Sequence, residues 1–183
     1  MANLSITKLS TYRDYFEQIA TYHPDIKDFK FGDEDVVMND ARSDLADVFL
    51  WCTPFEETRY SGADVDNLLK NKPAKIAILV KPDSEKFSDS NACFDFAETI
   101  LEDVVARILR DKRGQMVGSS YTLLATQLTS IGAKPIACMI GSTQFLGYEL
   151  SATLIDNSNL SFQAGRWLDT MAGNVWSLAE SVN

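Results

Sequence analysis

The side chains of this 183-residue chain with obvious chemical capacity are one histidine, three cysteines and twenty-six carboxylates. His23 stands directly before Pro24, where a helix is expected to end. A Ser-His-Asp or Cys-His site would have to use this residue, and no serine or cysteine nucleophile adjoins it, so a capping or surface role is expected. Cys52, Cys93 and Cys138 are widely spaced, and none belongs to a CxxC pair. Their neighbours (FLWCT, NACFDF, IACMI) are apolar, which points to buried thiols rather than zinc ligands or a disulfide framework. Asp33, Glu34, Asp35 and Asp40 offer hard oxygens, but a calcium loop of the EF-hand kind needs a glycine at its sixth position and a closing Glu at its twelfth. Counted from Asp25 or Asp28, that pattern fails. Glu56-Glu57 and Asp64/Asp66 are acid pairs of the type glycosidases use, with nothing in the sequence to set their separation. Gly114 to Gly118 lacks both GK[ST] and GxGxxG and follows a helical pattern, whereas phosphate loops follow a strand. No catalytic residue, no metal site and no cofactor is expected.

The balance of the chain supports the same reading. It is 45% hydrophobic, enough for a real core, with net charge −9 and a sequence pI near 4.6. A sequence-specific nucleic-acid binder usually shows a dense basic face, and none is present. The one local cluster, Arg107, Arg110, Lys112 and Arg113, falls at the end of a helical pattern, where cations complement the dipole. Apolar runs are far too short to span a bilayer. The opening MANLSITKLSTYRDYF has no basic start followed by an apolar stretch. The expectation is a protein kept in the cytoplasm, or carried in a particle assembled there.

Periodicity supplies the elements. Ile6, Leu9, Tyr12, Phe16 and Ile19 recur at helical steps, predicting a helix over 5–22 with Ser5 or Thr7 as cap. Residues 25–47 hold eight carboxylates against three bases, interrupted by Phe29–Phe31 and Val36–Met38, and read as a polar surface segment. DVFLWCTPFEET, 47–58, reads as a strand apolar on both faces, hence central, with Pro54 marking an edge or bulge near its end. Residues 60–73 read as a connection, and 74–81 as the next strand, paired with the first in a long-looped hairpin. Phe94, Ala97, Leu101, Val104 and Ile108 step 3, 4, 3, 4, predicting a long helix over 88–113. Residues 115–140 are ambiguous until Ile136–Ile140, which reads as a strand. After the turn Gly141-Ser142-Thr143, the stretch Phe145 to Asp156 alternates cleanly. Tyr148, Leu150, Ala152 and Leu154 face one way and Glu149, Ser151 and Thr153 the other, so this strand should pair with the segment ending at Ile140. Asp156 to Asn159 reads as a further turn, and 160–162 as a short strand.

The class that follows is α+β: an antiparallel or mixed sheet of about four strands in two hairpins, with a long central helix and an N-terminal helix packed on it. Residues 1–159 read as one domain and 160–183 as a C-terminal arm or closing helix. In that arm Leu168, Met171, Val175, Leu178 and Val182 again step 3, 4, 3, 4. With Trp167 and Trp176 they form either the last piece of the domain's own core or a subunit interface, for which Trp167, Leu168, Met171, Val175 and Trp176 are the candidates. The loop around Arg59, Tyr60, Asp64 and Asp66 is the other interface candidate, because long loops in small domains are commonly functional.

The order of elements resembles the small α+β proteins that cap or join phage tails, the tail terminator and head-tail connector type also found in contractile injection systems. The resemblance spans residues 5–156. It is carried by the N-terminal helix, the long-looped hairpin, the long helix and a last hairpin with the alternation Gly147-Tyr148-Glu149-Leu150-Ser151-Ala152. It implies a non-enzymatic ring, possibly a hexamer, whose partners are further copies of itself and neighbouring tail or connector proteins, located in a virion or phage-like particle. An acidic surface at Asp28, Asp33, Glu34, Asp35 and Asp40 would suit a lumen that repels DNA phosphate or a face for a basic partner. The alternatives are an acidic cytoplasmic adaptor or inhibitor of a basic protein, and an enzyme or ligand-binding module with an unseen site. Neither sequence-specific nucleic-acid binding nor a membrane is expected.

Overall fold

The alternating stretch at 145–156 belongs to a strand in the interior of the sheet, β8 (Thr143–Asn157), flanked on one side by β7 (Gln127–Ile140) and on the other by β5 (Leu69–Val80). This is a computed structural model, and it describes residues 2–4, 6–33, 35, 37, 45–62, 69–82, 89–112, 122–124 and 126–157. The β7–β8 pair is the hairpin expected from the sequence, closed by Gly141 and Ser142 between Ile140 and Thr143. Gly141 has φ +62°, the left-handed geometry required at the first central residue of a tight hairpin turn.

β5 continues the sheet to β3 (Val48–Cys52), antiparallel as expected, and β3 then pairs in parallel with β2 (Asp28–Phe31). β4 (Arg59–Ser61) pairs with the first residues of β5. The sheet is therefore mixed and has six strands, not about four. A separate two-stranded ribbon joins β1 (Ala2–Leu4) in parallel to β6 (Thr122–Leu124). The additional strands are three or four residues long, too short for a period to register. β2 is hidden inside the acidic run, where Phe29 and Phe31 were its only signal.

β3 and β4 form one interrupted strand along the same edge of β5. Opposite Ile76 stands Cys52 and opposite Asn71 stands Arg59, so residues 53–58, with Pro54 among them, bulge out against 72–75. The Lys75 carbonyl accepts a hydrogen bond from the Thr53 N–H, so odd-numbered residues of β5 direct their backbone groups toward this interrupted side. Pro73 thus lacks its N–H where the ladder has no partner. Residues 69–73, expected as part of a connection, are strand.

α1 (Leu9–Tyr22) and α2 (Ser90–Lys112) cover one face. Tyr12, Phe16 and Ile19 from α1, and Cys93, Ala97, Leu101, Val104 and Ile108 from α2, pack on Val48, Leu50, Ile76, Ile78, Val80, Leu146, Leu150 and Leu154. Two expectations for α1 are corrected. It starts at Leu9 after Lys8, without a side-chain cap, and the Thr7 hydroxyl instead donates to Asp156 of β8 at 3.2 Å. Leu9 is 45% exposed; Tyr15 takes the buried position instead. At α2, Asp89 caps the first turn, accepting the Asn91 N–H at 3.0 Å. The opposite face of the sheet holds a smaller core of Phe49, Leu79, Ile140 and Phe145 with Val37, so β3 is covered on both sides, as its doubly apolar sequence required.

Candidate functional site

Several residues singled out for chemistry hold the fold together. The Asp25 N–H donates to His23 Nδ1 at 3.2 Å, which leaves the proton on Nε2, 3.4 Å from Asp103 Oδ2. His23 thereby ties the end of α1 to α2. Glu56 pairs with Lys75 at 2.6 Å and Glu57 with Arg59, so the two acids face different bases. Lys75 holds the exposed Glu56 carboxyl below its ordinary range. The cluster at the end of α2 surrounds a buried acid. Arg107 Nε donates to both Asp111 oxygens, and the Tyr15 hydroxyl donates to Oδ2 at 3.0 Å. Burial first, and the Asp111 charge second, push the Tyr15 phenol far up. Arg110 Nη2 pairs with Asp111 at 3.5 Å without hydrogen-bond geometry, and among the described residues neither Nε nor Nη2 has a hydrogen-bond partner. These arginines close the helix, as expected; Arg113 lies outside the described residues. Cys52 and Cys93 are buried and Cys138 is half-buried. Among the described residues no group of three or more His, Cys, Asp or Glu stands where it could hold a metal ion.

The acidic candidates divide. Asp28 sits on β2, its carboxylate paired with Lys30 at 3.1 Å and accepting the Phe29 N–H. Asp33 and Asp35 are exposed. Glu34, Asp40, Asp64 and Asp66, with Trp167, Leu168, Met171, Val175 and Trp176 and the arm 160–183, lie outside the described residues.

Arg59 and Tyr60 are on β4 and exposed, at one end of the sheet. At that end Leu69 is paired with Asn157 and Ser61. Asp156 receives Thr7 just before α1, and Thr126 Oγ1, at the start of β7, accepts the Ile6 N–H at 3.0 Å. The close of α2 is anchored near the same end through Asp111 and Tyr15. Among the described residues seven large apolar side chains are exposed, and Leu9, Tyr60, Leu69, Leu109 and Ile131 are five of them. Sequence reasoning found Tyr60 alone. Leu9 was assigned to the buried stripe and Leu69 to a connection. Leu109 follows Ile108 off the stripe, a signal open to helical phase. Ile131 stands in a β-bulge between Thr129 and Gly132, which leaves no pattern in sequence.

No helix among the described residues is long and apolar enough to cross a membrane. A scan against protein-family models found no match, and a search of curated proteins found none either.

Proposed function

We propose that this protein is a structural, self-assembling part of a phage or phage-like tail particle, a non-enzymatic tail terminator or connector ring carried in the virion. Self-association is supported by large apolar side chains left exposed among the described residues, Leu9, Tyr60, Leu69, Leu109 and Ile131 among them. Water contact with these side chains is unfavourable, and burying them against another copy removes it. The assignment to a tail particle rests on the resemblance in element order alone.

A second reading is an acidic adaptor for a basic protein. Exposed Asp95, Glu98, Glu102 and Asp103 along α2 favour it. Light scattering over a range of concentration and salt separates the two. A ring protein gives a discrete oligomer, of about six copies for a closed hexamer, and the double variant Tyr60→Ser/Leu69→Ser dissociates it. A protein that stays monomeric at high concentration, with or without those substitutions, sinks the ring and leaves the adaptor, whose binding should weaken steeply with salt.

A further inference from the structure

Lys70 and Lys72 leave β5 on the same face, about 7 Å apart, and both are half-buried. None of the ion pairs among the described residues includes either of them. Lys72 Nζ rests 4.5 Å from the centre of the Phe55 ring. Tyr60, which is exposed, stands opposite Lys70 on β4. On the other side of Lys70 is Asp156, which accepts the Thr7 hydroxyl, and the exposed Lys8 follows Thr7 in the chain. The nearby acids Glu56 and Glu57 are taken by Lys75 and Arg59. Burial first, and the charge of Lys70 second, hold the Lys72 ammonium below its ordinary range. Two like charges held this close in a chain of net charge −9 attract an anion.

The complement lies elsewhere on the same chain. Asp95, Glu98 and Glu102 share the outward face of α2 and are exposed. No ion pair among the described residues includes them, whereas the adjoining Asp103 is paired with His23. Glu98 and Glu102, four residues apart, repel one another. This part of α2 lies by Tyr148, which Phe94 meets edge to face at 6.3 Å and which pairs with Ile78. Ile78 is six residues from Lys72, about 20 Å along β5. The bases and the acids are therefore separate patches, too far apart to meet within one copy.

We propose that copies of this chain join head to tail, with the Tyr60–Lys70–Lys72 end of one seated on the Asp95–Glu98–Glu102 face of the next. The inference rests on the self-assembling reading above and names its interface. Charge complementarity selects a second copy as the occupant of both patches. The spacing agrees as well: Glu98 and Glu102 are about 6 Å apart along the helix, close to the separation of the two lysines. Tyr60 adds an amphipathic ring of the kind that anchors interfaces, while the charges fix orientation and exclude wrong partners. A contact between unlike patches is heterologous, and it repeats until a ring closes.

Charge reversal, read by light scattering at low salt, tests the contact. Lys70→Glu/Lys72→Glu and Glu98→Lys/Glu102→Lys should each reduce the oligomer to monomer with far-UV circular dichroism unchanged. The four substitutions together should restore it. The milder Lys70→Gln/Lys72→Gln, which removes charge alone, should raise the dissociation constant about ten-fold or more. A parent that stays monomeric overturns the proposal together with the ring. A parent oligomer that withstands the reversals, or that the fourfold variant fails to restore, overturns this contact and leaves the ring standing. A closed dimer overturns the head-to-tail arrangement.

Discussion

At Gly147 the sheet leaves no room for a side chain. A Cβ there would stand 1.8 Å from the Ile78 carbonyl oxygen, a backbone atom that cannot swing aside. Gly147→Ala should therefore force β5 and β8 apart and cost about 3 kcal/mol or more. Urea unfolding with an unchanged m-value measures it, and a loss under about 1 kcal/mol would mean the strands yield easily. This constraint is invisible in the sequence. Gly147 stands in a regular alternation, and the atom that confines it is nearly seventy positions away in the chain. Gly141 is the opposite case: two turn residues between two alternating runs are a local signal, and its positive φ confirms a hairpin that could be read directly. His23 and Glu56 were legible as residue types, but their partners Asp103 and Lys75 are set by packing.

The two helices are joined through one buried carboxylate. Asp111 of α2 takes the Tyr15 hydroxyl of α1 and the Arg107 guanidinium together. Asp111→Ala would leave both donors unmet and is expected to cost about 2 kcal/mol. A double-mutant cycle with Tyr15→Phe should return a coupling of about 1 kcal/mol; additive losses would mean that the tyrosine bond contributes nothing. At this scale the sequence was most readable where a period ran long. The stripe from Phe94 to Ile108 located α2 to within two residues at its start. The long-looped hairpin expected between 47–58 and 74–81 is present as the pairing of Val48–Cys52 with Ile76–Val80. Reading fails where elements are short, as at β2 and β4, or where a strand starts inside a stretch read as a connection, as at 69–73. Pro73 sits inside a twelve-residue strand because the chain opposite bulges away. The stretch 115–135 contained β6 and most of β7, whose outer position strips it of a buried face and so of alternation.

The molecule as a whole should be sensitive to alkali. Burial pushes the phenols of Tyr12 and Tyr15 and the thiol of Cys52 up from ordinary values of 10.0 and 9.0. A folded pKa above the unfolded one means that stability is intact below the unfolded value and is lost as pH rises beyond it. Urea midpoints should hold steady to about pH 9 and then fall, each group adding up to about 1.4 kcal/mol per pH unit. Cys52→Ala should delay the onset toward pH 10, where the tyrosines begin. A flat profile to pH 11 would show that the core opens for these groups at no cost. The interior placement of β8 has a further consequence, in the order of events during synthesis. β5 is complete when Val80 emerges, but the strand that lies along its far edge begins at Thr143. The nascent chain must therefore hold an apolar strand with one bare edge while more than sixty further residues are made. Thr7 likewise waits for Asp156. Such non-local closure is slow, and an uncovered edge can pair with a neighbouring chain. The chain is thus most open to a wrong partner just before its last described strand arrives.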